Sequence, residues 1–146
     1  MKIKIKYLHF TIFLIFYCCK SDEYKGIKIG ANLFENQTIK QNKDLQGIIK
    51  ELLDNKSDGL KKIIAFDCGG GAGCYDLGYV LSQTLNQIGE NNFIKMCETL
   101  NYNQRQEINS LLEVGFEYGD NNYDGKMDGT TLSKEFPKLS TKLYEK

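Results

Sequence analysis

Histidine is almost missing from this sequence. The one copy, His9, sits inside an apolar stretch near the start, so the rest of the chain has none. That excludes Ser-His-Asp and Cys-His catalysis, and histidine-ligated zinc or haem, from whatever domain follows. Arginine is nearly as scarce, with Arg105 alone among the basic residues. Phosphate and base recognition favour the planar arginine fork, and no basic stripe with interleaved aromatics is visible, so nucleic acid is not an expected partner. No apolar run reaches the roughly 20 residues that a bilayer-spanning helix needs. The cysteines show no C-x-x-C spacing, and no repeat recurs at a fixed period.

What is present begins with an address. "MKIKIK" is basic, and "YLHFTIFLIFY" is an apolar run of 11 residues. A positive start followed by a short apolar run reads as an export signal. The next residues, "CCKSDE", resemble the end of a bacterial lipoprotein signal. The resemblance implies that residues 1–18 are removed and that Cys19 becomes the first mature residue and carries a covalent lipid. Cys18 is then the small residue before the cut, whereas Phe16 and Tyr17 are larger than the motif usually has. The resemblance also implies attachment to a bacterial membrane, on the periplasmic side or at the cell surface. Removal of residues 1–18 takes away Lys2, Lys4 and Lys6 and leaves 16 basic side chains against 19 acidic, a net charge of −3.

Residues 19–41 are polar with scattered apolars and read as a tether and irregular lead-in, with "YKGIKIGANLF" as a short extended candidate. From Asn42 the pattern changes. Leu45, Ile48, Ile49, Leu52 and Leu53 fall on one helical face, and the turn formers of "DNKSDG" end the run. "LKKIIAFD" at 60–67 is expected as a short helix. Cys74, Leu77, Gly78, Leu81, Leu85 and Ile88 share a face that Gly89 stops. Phe93, Met96, Cys97 and Leu100 mark another helix. Asn103 with Gln106 suggests a capping pair opening a helix that turns Ile108, Leu111, Leu112, Gly115 and Phe116 inward. From Thr131, Leu132, Phe136, Leu139 and Leu143 continue the period, with Pro137 near the front of the run. Residues 42–146 are thus expected to form a single small all-α domain of antiparallel neighbours, with stacked helix pairs as one version.

Two stretches carry candidate chemistry. In "GDNNYDGKMDG", Asp120, Asn122, Asp124, the Lys126 carbonyl and Asp128 take positions 1, 3, 5, 7 and 9 of a twelve-residue loop, with Gly125 at position 6 and apolar Met127 at position 8. Calcium is a hard cation that wants six to eight oxygens, and this spacing resembles an EF-hand loop. Thr131 stands where the bidentate Glu belongs, so the resemblance implies weak Ca²⁺ binding, with Glu117 or Glu135 as outside donors. The competing reading is a helix–helix turn in which Asp and Asn bond their own backbone and Gly125 takes a positive φ. In "DCGGGAGCYDLG", the glycines suggest an anion nest at a helix start, but neither a P-loop nor a GxGxxG pattern is present, so nucleotide is not expected. Cys68 and Cys74 bracket small residues and are expected to form a disulfide in an oxidising compartment, leaving Cys97 as a buried small hydrophobe.

The expected function is therefore non-catalytic: a lipid-anchored envelope protein that binds an unidentified protein partner, as an inhibitor or immunity-type protein would. A calcium-dependent helix–loop–helix module is the alternative. A carboxylate-only hydrolase using Asp67 and Asp76 is a third.

Overall fold

The computed structural model describes residues 22–145. The export segment and Cys19 lie outside the described residues. Among the described residues, eight helices and one two-stranded hairpin make up the domain, which is all-α in class, as the apolar stripes require.

The hairpin comes first. Strand β1 (Glu23–Tyr24) pairs antiparallel with β2 (Ile27–Lys28), Tyr24 opposite Ile27. The two turn residues, Lys25 and Gly26, both have positive φ (52° and 82°), the turn that matches strand twist. Helix α1 (Ala31–Asn36) follows, and Ile27, Ile29 and Leu33 are buried in the core. The expectation of a tether over 19–41 is corrected from Glu23 onward: the packed domain starts at the hairpin. Two-residue strands and a six-residue helix are too brief to leave a periodic signature, and their apolar side chains are buried only because later helices cover them.

Helix α2 (Ile39–Leu53) opens with a capping box, in which the Thr38 hydroxyl takes the Gln41 amide and the Gln41 side chain takes the Thr38 amide. Its stripe of Leu45, Ile48, Ile49 and Leu52 is buried. Helix α3 (Ser57–Ile64) buries Leu60 and Ile63. Helix α4 (Ala72–Ile88) is the centre of the domain and touches α1, α2, α5 (Glu90–Cys97), α6 (Tyr102–Tyr118) and β2. The helices gather around α4 instead of stacking in a row of pairs.

The capping pair of α6 is Asn101 with Gln104, not Asn103 with Gln106. "NYNQRQ" offers the same spacing in two registers. The earlier one is reinforced when Arg105 donates to the Leu100 carbonyl. The last run is divided into α7 (Leu132–Glu135) and α8 (Pro137–Tyr144), because Pro137 has no N–H to continue α7 and is pre-shaped for the first position of a new helix. No helix among the described residues is long and apolar enough to cross a membrane.

Candidate functional site

The loop after α6 is held at both ends by backbone. Asp128, Gly129 and Thr130 donate their amides to the carbonyls of Gly119, Glu117 and Phe116, so the returning chain satisfies carbonyls at the end of α6. Between these anchors the front of the loop winds around its own side chains. Asp120 accepts from the amides of Asp124 (2.9 Å) and Gly125 (3.1 Å). Asn122 accepts from Asp124 (3.0 Å), and Asp124 accepts from Lys126 (2.9 Å). Gly125 has φ 83°, as the turn demands, and Tyr123 is also left-handed at 61°.

This brings Asp120, Asn122 and Asp124 to one turn. It does not bring Asp128 with them. One carboxylate oxygen of Asp128 takes both the backbone and side-chain N–H of Asn121, each at 2.8 Å. Met127, the apolar residue at position 8 of the expected loop, is 69% exposed. The Thr131 hydroxyl meets that of Ser133, and Glu135 accepts from Thr130. The exit helix is the four-residue α7. The front half of the loop therefore has the self-bonded geometry of the turn reading, and the back half, as folded, does not place the remaining ligand positions around it. Among the described residues no group of three or more Asp, Glu, His or Cys side chains is arranged to hold a metal ion. Three side-chain donors fall well short of six oxygens, so backbone carbonyls and water would supply the rest.

A tyrosine face adjoins this loop. Tyr75 on α4 and Tyr118 at the end of α6 stack with ring centroids 5.1 Å apart and planes within 11°. They are 48% and 42% exposed. Tyr79, one turn after Tyr75, donates its hydroxyl to the Asp120 carbonyl at 2.9 Å. Burial pushes the Tyr79 phenol up to about 12, and the neighbouring Tyr123 adds to this, so it stays a donor. The Glu117 carboxylate raises the Tyr118 phenol through a side-chain hydrogen bond. With Asp76, Asp120 and Met127, these rings line an open cleft of about 430 Å³ that, among the described residues, contains no lysine or arginine.

Asp76 has a structural duty as well. Its carboxylate accepts the Leu33 amide (2.9 Å) and so caps α1, whose own preceding residue, Gly30, brings no capping side chain. A β-carbon at Gly30 would collide with that carboxylate. Asp67 does something different, accepting the Gly69 amide at 2.9 Å at the start of the glycine loop. Asp67 and Asp76 share no contact, and of the two only Asp76 lines the tyrosine cleft. Gly69, Gly70 and Gly71 all take positive φ, and the Cys68–Cys74 disulfide closes the loop they form. Cys97 is the free cysteine among the described residues and is buried.

Sequence reasoning passed over Gln83 and Tyr123. Gln83 is 3% exposed and receives the Lys28 amide (2.8 Å) while donating to the Lys28 carbonyl (2.9 Å), so a side-chain amide acts as the missing neighbour strand of β2. The Tyr123 hydroxyl reaches both Gln83 (3.0 Å) and the Gly26 carbonyl (3.1 Å) and fastens the loop to the hairpin. The available signal was the polar run Ser82, Gln83 and Thr84 inside an otherwise apolar helix. All three are buried, and buried polar groups need partners.

The chain matches no protein-family model and gives no significant match to a curated protein or a solved structure.

Proposed function

We propose that this protein is an exported, lipid-anchored component of the bacterial cell envelope that works by binding another protein, in the manner of an inhibitor or immunity-type protein. The observation that carries the reading is the exposed Tyr75–Tyr118 stack with Met127 beside it. Tyrosine and methionine are enriched at protein interfaces, and tyrosine is favoured at the positions that dominate binding energy. Stacking already restricts both rings, so less side-chain freedom is lost when a partner covers them. The anchor rests on the "CCKSDE" motif and Cys19.

The test is site-specific photo-crosslinking in producing cells. A crosslinking residue in place of Met127 is expected to give a discrete adduct, and one in place of exposed Lys43 on α2 is not. The adduct disappears in a Tyr75→Ala/Tyr118→Ala background. Identical adduct patterns from both positions overturn the assignment of this face. In the same cells Cys19→Ser is expected to release the protein from membranes or trap its precursor, and unchanged processing and membrane association would sink the lipoprotein reading.

A second reading is favoured by one specific observation. Backbone amides hold Asp120, Asn122 and Asp124 at one turn, a geometry that a calcium loop shares with a plain Asx turn. In that reading the loop is a weak calcium module that orders the C-terminal helices.

A further inference from the structure

We propose that the tyrosine cleft receives a lysine or arginine side chain of the protein partner. The inference rests on the docking reading above and adds the chemistry of the contact. Both charged residues in the cleft, Asp76 and Asp120, are acceptors, and no cation lines it among the described residues. Each already holds backbone amides, Leu33 for Asp76 and residues 124 and 125 for Asp120, so neither carboxylate swings away. A carboxylate has about four acceptor sites, so capacity is left at each.

The rings point to the same ligand class. An aromatic face is electron-rich and attracts a cation placed over it, and Tyr75, Tyr79 and Tyr118 stand along one side of the cleft. Tyr79 commits its hydroxyl to the Asp120 carbonyl and has no second proton to offer a ligand. Ammonium and guanidinium groups bring donors and no acceptors, the complement of the two carboxylates; Asn32 and the tyrosine hydroxyls add donors at the same cleft. The apolar stems of lysine and arginine match the rings and Met127. A sugar could stack on the same rings and meet donors and acceptors there, but it carries no positive charge to match Asp76 and Asp120.

The experiment is an NMR titration of the mature protein with ¹³C-labelled tyrosine rings. The probes are capped pentapeptides of equal length carrying two arginines, two leucines or two glutamates, together with a cello-oligosaccharide. The diarginine peptide is expected to shift the Tyr75 and Tyr118 signals. Its affinity should fall by about three-fold or more between low and high salt, since partly exposed charges are screened. Asp76→Asn keeps an acceptor for the Leu33 amide but removes the charge. It should weaken binding by about three-fold while amide signals of α1 stay in place, a modest loss of the size expected for one partly exposed charge. Equal response to the dileucine peptide, a response only to the oligosaccharide, or no response to any peptide overturns the proposal. The crosslinking from position 127 is independent of all three outcomes and decides the docking reading separately.

Discussion

Gly78 on α4 and Gly115 on α6 face one another where the two helices cross. A β-carbon on Gly78 would run into the Leu111 carbonyl, and one on Gly115 into the Gly78 carbonyl. This contact seats Tyr75 against Tyr118 one turn away, so the proposed docking face depends on it.

Gly78→Ala and Gly115→Ala are accordingly expected to destabilise the fold by about 1–3 kcal/mol or more, because the colliding atoms are rigid backbone. Gly47 provides the contrast. It lies in the exposed middle of α2 with nothing near a β-carbon, and Gly47→Ala should stabilise by about 0.5–1 kcal/mol through helix propensity. Thermal melts of the three variants check both directions. Equal melting temperatures for Gly115→Ala and wild type would contradict the close crossing.

Gln83→Leu removes the side chain that pairs both polar groups of Lys28. The expected cost is about 1–3 kcal/mol, with faster hydrogen exchange at the Lys28 amide. Tyr123→Phe keeps the ring under Lys28 but loses the one proton that its hydroxyl shares between the Gly26 carbonyl and the Gln83 oxygen, and should cost about 0.5–1.5 kcal/mol. Exchange rates that stay unchanged in Gln83→Leu would mean that the hairpin is held by other contacts.

Thiol chemistry should separate the cysteines. The oxidised protein is expected to react with a thiol reagent slowly when folded and to expose about one thiol, Cys97, when denatured, as pairing in an oxidising compartment implies. Peptide mapping that joins Cys97 to either partner would refute the assignment. Burial raises the Cys97 thiol from 9.0 to about 12, although Arg105 pulls slightly the other way. The unfolded thiol therefore ionises first. The contribution of Cys97 is complete below pH 9.0 and is lost as pH rises from there toward 12. Cys97→Ala should flatten the alkaline loss of stability over that window without abolishing it, because Tyr79 is raised from 10.0 to about 12 in the same sense. Identical alkaline melting curves for wild type and variant would remove Cys97 from this account.

For the loop, saturating calcium is expected to raise the melting temperature. At ten times Kd the gain is about 1.4 kcal/mol, and magnesium should give less. Asp120→Ala and Asp124→Ala should abolish the response, and Thr131→Glu should strengthen it by restoring the bidentate carboxylate. Asp128→Ala should behave differently and lower stability even with chelator present, because Asp128 holds two N–H groups of Asn121. If wild type and Thr131→Glu both melt at the same temperature in millimolar calcium and in chelator, the stretch is a turn.

The helical class, the break at Gly89, the buried stripes of α2, α4, α5 and α6, and the Cys68–Cys74 pairing were all legible in the sequence. Each depends on spacing within one segment, where helical geometry or a short closed loop sets the outcome. The Asx turn around Asp120, Asn122, Asp124 and Gly125 was legible for the same reason. What the tertiary structure alone decided involves partners far apart along the chain: Gln83 completing the hairpin, Asp76 capping α1, Tyr75 meeting Tyr118, and Tyr79 reaching the Asp120 carbonyl. No local period records such pairings. Asp128 is the clearest case: its position in the loop is a ligand position, yet its carboxylate is turned to Asn121, which also reaches Ser82 and Gly115 on the α4–α6 crossing. A buried network at that crossing takes hold of the residue next to Asp120, and the Asp128 carboxylate is drawn to its N–H groups.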